Sequence, residues 1–167
     1  IDILNSCSDY GFTRDLCVNN FEIINERFYM TRREFREHTA ILTFIFEFYP
    51  EAEWTEQFKF YADYAEIKEE DRETLRQRVF EIEKKKAEID GLIDSASKKW
   101  RIQRISKTDL MLLRVAIYEI KFDSEIPDKV SVNEAVELAK IYGGDESPAF
   151  VNGVLAKFMP KEDNKEE

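Results

Sequence analysis

Arg32, Arg33 and Arg36 are the side chains in this sequence whose type and spacing best suit chemistry. On a helix, positions 32 and 36 are four apart and share a face, with Arg33 beside them, giving a guanidinium cluster that fits phosphates and base edges. In a first turn each cation opposes the helix dipole and costs about 0.3 to 1 kcal/mol, less when salt screens it. A local rule broken at a surface position points to function. The competing reading is that Glu34 and Glu37 neutralise the cluster, which then only solubilises the helix. A second candidate set is Phe150 and Asn152 near another helix start. An aromatic ring there can stack an unpaired base, a contact worth about 1 to 3 kcal/mol in single-strand binding. Core packing of Phe150 is the alternative.

Catalysis finds no comparable support. His38 is the sole histidine, so no zinc-protease pattern exists around it, and it reads as structural. No glycine loop cradles a phosphate, and the carboxylates lie on polar helical faces without metal-ligand spacing. We therefore expect no enzyme, no cofactor and no metal. Cys7 and Cys17 read as two unpaired thiols in a cytoplasmic protein, where disulfides are rare.

The elements that must position these residues are helices. The chain has 167 residues, 36% charged and 13% aromatic, with five glycines and four prolines, a balance that favours helix over turn-rich β structure. At this length one domain can bury roughly 70% of its unfolded surface. A first helix is predicted over 31–49, opened by a capping box at Thr31 and Glu34 and stopped by Pro50. Its apolar residues run almost all round: Phe35, Leu42, Phe46 and Tyr49 form one stripe, and Ile41, Phe44, Ile45 and Phe48 widen it. Such a helix is buried on several sides or covers one side with a partner. Phe44 lies on the surplus face, so core packing and partner contact are both open.

A shorter helix is predicted over 54–65, with Phe58, Tyr61 and Ala65 inward. A charged one follows over 70–88, with Leu75, Val79, Ile82 and Ala87 inward. Asp90 and Gly91 mark a bend before 92–100. The segment 109–122 is apolar nearly all round and should be the innermost helix of the second half. Asp109 at its start suits the helix dipole, either as a cap or as a contact for a protein partner.

The next helix is predicted to open with a capping box at Ser131 and Glu134 after an extended Ile126-Pro127 link. It should close at Gly143-Gly144 in the left-handed conformation. The last opens at Ser147-Pro148, and Gly153 within it suggests close approach of another backbone. The fold class is all-α, two packed small helical bundles over 31–100 and 101–159. Residues 1–29 read as an N-terminal extension, upstream or non-native sequence before Met30, and 160–167 as a disordered polar tail. The net charge of −10 argues against a protein that coats nucleic acid by itself. RNA binding by the isolated chain should be weak, and a basic partner should strengthen it.

The blocks LLRVAIYEI (112–120), VNEAVELAK (132–140) and FVNGVLAK (150–157), in this order and closely linked, resemble the C-terminal half of the NusB family of bacterial transcription antitermination factors. The resemblance implies one all-helical RNA-binding domain over 30–159, active in the bacterial cytoplasm within the transcription elongation complex. It implies binding of boxA RNA jointly with the ribosomal protein NusE. In that family the first helix carries an arginine-rich RNA-contacting motif, and Arg32, Arg33 and Arg36 stand at its position, thinned by Glu34, Phe35 and Glu37. The resemblance also puts Phe150 and Asn152 at the RNA surface and Phe44 and Asp109 near the NusE dock.

A homodimer that covers the arginine-bearing helix is a further family possibility. The alternatives are a NusB-like recognition domain of an RNA methyltransferase, or a helical interaction module without an RNA role. The expectation fails if the guanidinium groups are locked inside carboxylate pairs and the apolar flank is wholly interred.

Overall fold

The computed structural model describes residues 30–96 and 101–159. The extension 1–29 with both cysteines, Trp100 and the tail from 160 onward lie outside the described residues. The chain divides into two compact units, Ile1–Arg32 and Arg33–Glu167, and the packing below is that of the second.

Among the described residues six α-helices carry the fold: α1 Arg32–Phe46, α2 Trp54–Tyr64, α3 Glu69–Ala96, α4 Lys107–Phe122, α5 Asp128–Tyr142 and α6 Ser147–Leu155. One-turn 3₁₀ segments, Glu51–Glu53 and Ile102–Arg104, lead into α2 and α4. No strand occurs among the described residues. The fold is all-α, with two packed cores.

The smaller core joins Leu42 and Phe46 of α1, Phe58 and Ala62 of α2, and Leu75 and Val79 of α3. Trp54 stacks flat on Phe46 at 5.2 Å, and Phe80 meets both edge-on. The larger core surrounds α4, whose residues from Leu110 to Tyr118 are all buried against α3, α5 and α6. Nearly complete apolar character around α4 therefore marks the centre of the second bundle, as its sequence implied.

Two hydroxyls let α1 bury a polar stripe. Thr39 Oγ1 donates to the Phe35 carbonyl at 2.7 Å, and Thr43 Oγ1 to that of Thr39 at 2.9 Å. Each satisfies itself on its own helix four residues back.

Several local expectations are overturned. Helix α3 runs for 28 residues straight through Asp90-Gly91, because Ile89 and Ile93 on either side are fully buried and their packing outweighs the roughly 1 kcal/mol cost of glycine. Ala87 faces solvent, and Ala62 rather than Ala65 faces inward from α2. Helix α5 begins at Asp128, directly after Pro127, whose φ of −61° and ψ of 134° set the extended entry. Ser131 is consequently fully buried inside the helix and caps nothing.

Gly143 is extended (φ −93°, ψ 179°) rather than left-handed. Its need for glycine is spatial, since a Cβ would stand 2.4 Å from the Ser147 Cβ and 2.7 Å from the Ala139 carbonyl oxygen. The Ser147 hydroxyl accepts from the Gly144 amide at 3.0 Å instead of capping forward into α6. Gly153 has nothing within 4 Å of where a Cβ would sit, so no backbone approaches it.

Candidate nucleic-acid interface

The first turn of α1 presents Arg32 and Arg33 to solvent, one turn before the helix enters the core. Arg36 does not join them. It is 5% exposed, and its Nε donates to both oxygens of Glu119 on α4, at 2.8 and 3.1 Å. Glu134 on α5 lies 3.8 Å from its Nη1. The expected cluster of three surface guanidinium groups is thus corrected to two, with the third closing the seam between α1, α4 and α5. The physical reason is rotation of α1: the face that carries Arg36 also carries Ala40 and Thr43, all buried. The Glu134 carboxylate, released from a capping role by the early start of α5, adds to that seam.

Along the same flank, the Tyr142 hydroxyl at the end of α5 donates to Glu37. Burial, then this bond to Glu37, pushes the tyrosine up to about 12. Glu137 on α5 is held below the usual carboxylate range by a hydrogen bond from Lys140 and by that ammonium's charge, with a smaller contribution from Arg33. Arg33 accordingly stands within electrostatic reach of an exposed carboxylate, which tempers its field without enclosing it.

At its far end α1 turns aromatic. Phe44 is half-buried and meets Phe48 edge-on at 5.0 Å. With Ile45, Tyr49, Phe60, Tyr61 and Tyr64 these rings line an open cavity of about 560 Å³ between α1 and α2. Phe48 is 59% exposed, Phe60 61% and Tyr64 86%, an apolar edge larger than scattered surface residues would give. His38 seals the inner side: its Nδ1 is 2.7 Å from the Tyr61 hydroxyl, and burial lowers its pKa. The structural role expected of His38 is consistent with this position. Phe60 and Tyr64, four apart on α2, were missed in the sequence, where the stripe through Phe58 and Tyr61 drew attention to the other face.

A charge hub fixes α1 to the second bundle. Glu47 accepts from Arg114 of α4 at 2.7 Å and pairs with Lys86 at 2.8 Å and with Lys107. Arg114 also forks onto both Asp90 oxygens at 2.7 and 2.8 Å. Burial pulls Glu47 upward, but the hydrogen bonds from Lys107, Lys86 and Arg114 outweigh it and hold the group at about 2. Nothing in local spacing signals this hub, because its members come from α3, α4 and the turn that follows α1.

Asp109 and Phe150 prove to share a second cavity, of about 730 Å³, where the starts of α4 and α6 converge. Asp109 lies in the first turn of α4, its backbone amide donating to the Ser106 hydroxyl at 3.0 Å. Phe150 is half-buried against the larger core, and Asn152 is exposed on α6. Phe44 and Asp109, expected to lie together, line different cavities; the Lys107 to Glu47 pair still brings the start of α4 to the end of α1. Among the described residues no group of three or more His, Cys, Asp or Glu is placed to hold a metal ion, and no helix is long and apolar enough to cross a membrane.

Comparison with known proteins supplies the context. The NusB family model matches residues 36–160. The transcription antitermination protein NusB of Lachnoclostridium phytofermentans is 50% identical over 131 residues, covering 78% of this chain and 99% of that protein. The NusB of Agathobacter rectalis is 48% identical over 130 residues, covering 77% and 99%. Among solved structures, T. maritima NusB superposes with a TM-score of 0.68 at 32% identity, over 77% of this chain and 90% of its own. The solution structure of NusB from Aquifex aeolicus gives 0.65 at 24% identity, a likeness of fold, over 81% and 98%.

Proposed function

The chain belongs to the NusB family, and from that premise we propose that it is a transcription antitermination factor that binds boxA-type single-stranded RNA together with the ribosomal protein NusE. It does so in the bacterial cytoplasm, as part of the transcription elongation complex and without catalysis. The observation that carries this reading is the likeness over 99% of the relatives' length, joined to an α1 whose first turn leaves Arg32 and Arg33 in solvent and whose far end borders an exposed aromatic edge.

Arg32 and Arg33 contact RNA phosphates, and Asn152 contributes a polar contact from α6. Arg36 is assigned to holding α1 against Glu119 rather than to RNA. A formal charge of −10 leaves the chain alone with little affinity for a polyanion, so a basic partner supplies much of the electrostatic attraction. Unpaired bases then give specificity, as in most sequence-specific RNA recognition. The aromatic edge around Phe44, Phe48 and Tyr64 is the NusE-facing surface. A second copy of the chain is the competing occupant of that edge, because its exposed rings also suit a homodimer.

The test is a titration of boxA RNA at fixed salt, with and without NusE, alongside sedimentation of the protein alone. Tight binding only in the presence of NusE is expected. Equal and negligible affinity in both cases overturns the proposal, and a stable dimer through the aromatic edge reassigns that surface.

A further inference from the structure

His38 stands behind the aromatic cavity, where its two walls meet. Its Nδ1 lies 2.7 Å from the Tyr61 hydroxyl, and the two rings pack edge-on with centroids 5.7 Å apart. Among the described residues this is the one side-chain hydrogen bond that joins α1 to α2. Tyr61 itself lines the cavity, in company with Phe44, Phe60 and Tyr64. A change in the bond is therefore felt at the cavity's inner wall.

The number of protons decides what that bond can be. Burial, then Tyr142, Glu37 and Tyr64 nearby, pushes Tyr61 up to about 12, so its hydroxyl keeps its hydrogen throughout the neutral range. Nδ1 is the acceptor within reach of that hydrogen among the described residues. A neutral imidazole can accept there while donating from Nε2, whereas both nitrogens of an imidazolium are donors. Protonation thus sets two donors against each other across the gap between α1 and α2.

The groups that face His38 do not share this change. Glu34 and Glu37, on α1 itself, favour the imidazolium by their charge, but burial disfavours it more and holds His38 below its ordinary value of 6.5. From α2 come Tyr61 and, beyond it, Tyr64; from α5 comes Tyr142, which donates to Glu37 and is itself pushed up to about 12.

We propose that the contact between His38 and Tyr61 is a proton-sensitive latch on the aromatic cavity: with His38 neutral it ties α1 to α2 and keeps the cavity formed for a protein partner, and with His38 protonated it lets go. Because the imidazole is harder to protonate in the folded chain than in the unfolded one, the tie is whole above about pH 6.5 and fades as pH falls through the lower, folded value. By linkage, a partner that needs the latched cavity lowers the proton affinity of His38 further. The inference rests on the reading of this aromatic edge as the partner-facing surface, and it gives that surface a control.

The test follows His38 and the cavity together by NMR in the full chain, from about pH 8 to about pH 5, the span in which histidine changes charge. The carbon-bound ring protons of His38 report its titration, and the rings of Phe44, Phe60 and Tyr64 report the cavity. One midpoint below 6.5, shared by both sets of signals, is expected. In Tyr61→Phe, which removes only the hydroxyl, His38 still titrates while the cavity signals no longer follow. In His38→Gln, whose amide oxygen can accept from Tyr61, the cavity signals stay level. Across the same span the parent should lose about five- to tenfold more affinity for NusE than His38→Gln does.

A His38 midpoint at or above 6.5, cavity signals that ignore it, or cavity signals that still follow it in Tyr61→Phe overturns the latch. The phenylalanine variant keeps the test decisive if the glutamine variant folds poorly. A shared midpoint in a chain that never binds NusE keeps the latch while refuting the partner named above. NusE binding that weakens equally in the parent and in His38→Gln refutes the latch alone.

Discussion

The two sides of α1 invert each other's design. On the side facing α4 and α5, charge is enclosed: Arg36 is tied to Glu119 and shielded with Thr39 and Thr43. On the side shared with α2, apolar surface is open, with Phe48, Phe60 and Tyr64 in solvent. The seam against α4 and α5 is fixed by paired ionic geometry, while the edge that the end of α1 shares with α2 leaves rings exposed for association.

The largest expected effect comes from opening the enclosed side. Glu119→Ala strands the Arg36 guanidinium and should cost about 3 to 5 kcal/mol in denaturant unfolding, whereas Arg36→Met with Glu119→Leu should recover much of that loss. A single-variant loss below about 1 kcal/mol would mean that the seam is effectively solvated.

Acid weakens a second tie, the Glu47 hub, more gently. Because folding depresses the Glu47 pKa to about 2, its contribution is full above the unfolded value of about 4.3 and fades as pH falls toward 2. Glu47→Gln should therefore lower stability at neutral pH and flatten the acid limb of the stability profile. Its effect should be smaller than that of Glu119→Ala, since Arg114 keeps both bonds to Asp90. An unchanged acid limb would remove Glu47 from the account.

Next comes a change of opposite sign: Gly153→Ala, in open space on α6, should stabilise by about 1 kcal/mol in thermal unfolding. If stability rises while binding to NusE or RNA falls, that exposed turn belongs to the contact surface. The smallest stability effect is expected on the open side itself. Phe48→Ser with Tyr64→Ser should stay within about 0.5 kcal/mol of the parent yet abolish NusE binding. Retained binding would leave the rings without the role assigned to them.

Much of the architecture was legible because it depends on period. The all-round apolar run of α4 announces burial whatever surrounds it, and Pro50 and Pro127 punctuate the chain by removing a backbone donor. What escaped depends on distance. The Ser131 to Glu134 spacing is identical at a helix start and inside a helix; Pro127 decided between them, and Glu134 turned to Arg36 instead. Arg36 looks the same as Arg32 in sequence, and only a carboxylate 83 positions away separates their fates. Asp109 and Phe150 were each visible as candidates, but their shared cavity arises from the convergence of two helix starts, which no spacing along the chain encodes.

The length of α3 has its own consequence. Leu75 and Val79 line one core, while Ile82, Ile89 and Ile93 line the other, all on a single uninterrupted rod. Neither bundle can melt without fraying the rod that the other requires, so the domain should open as one cooperative foldon instead of two. A break or deletion along that rod would then unfold both halves together.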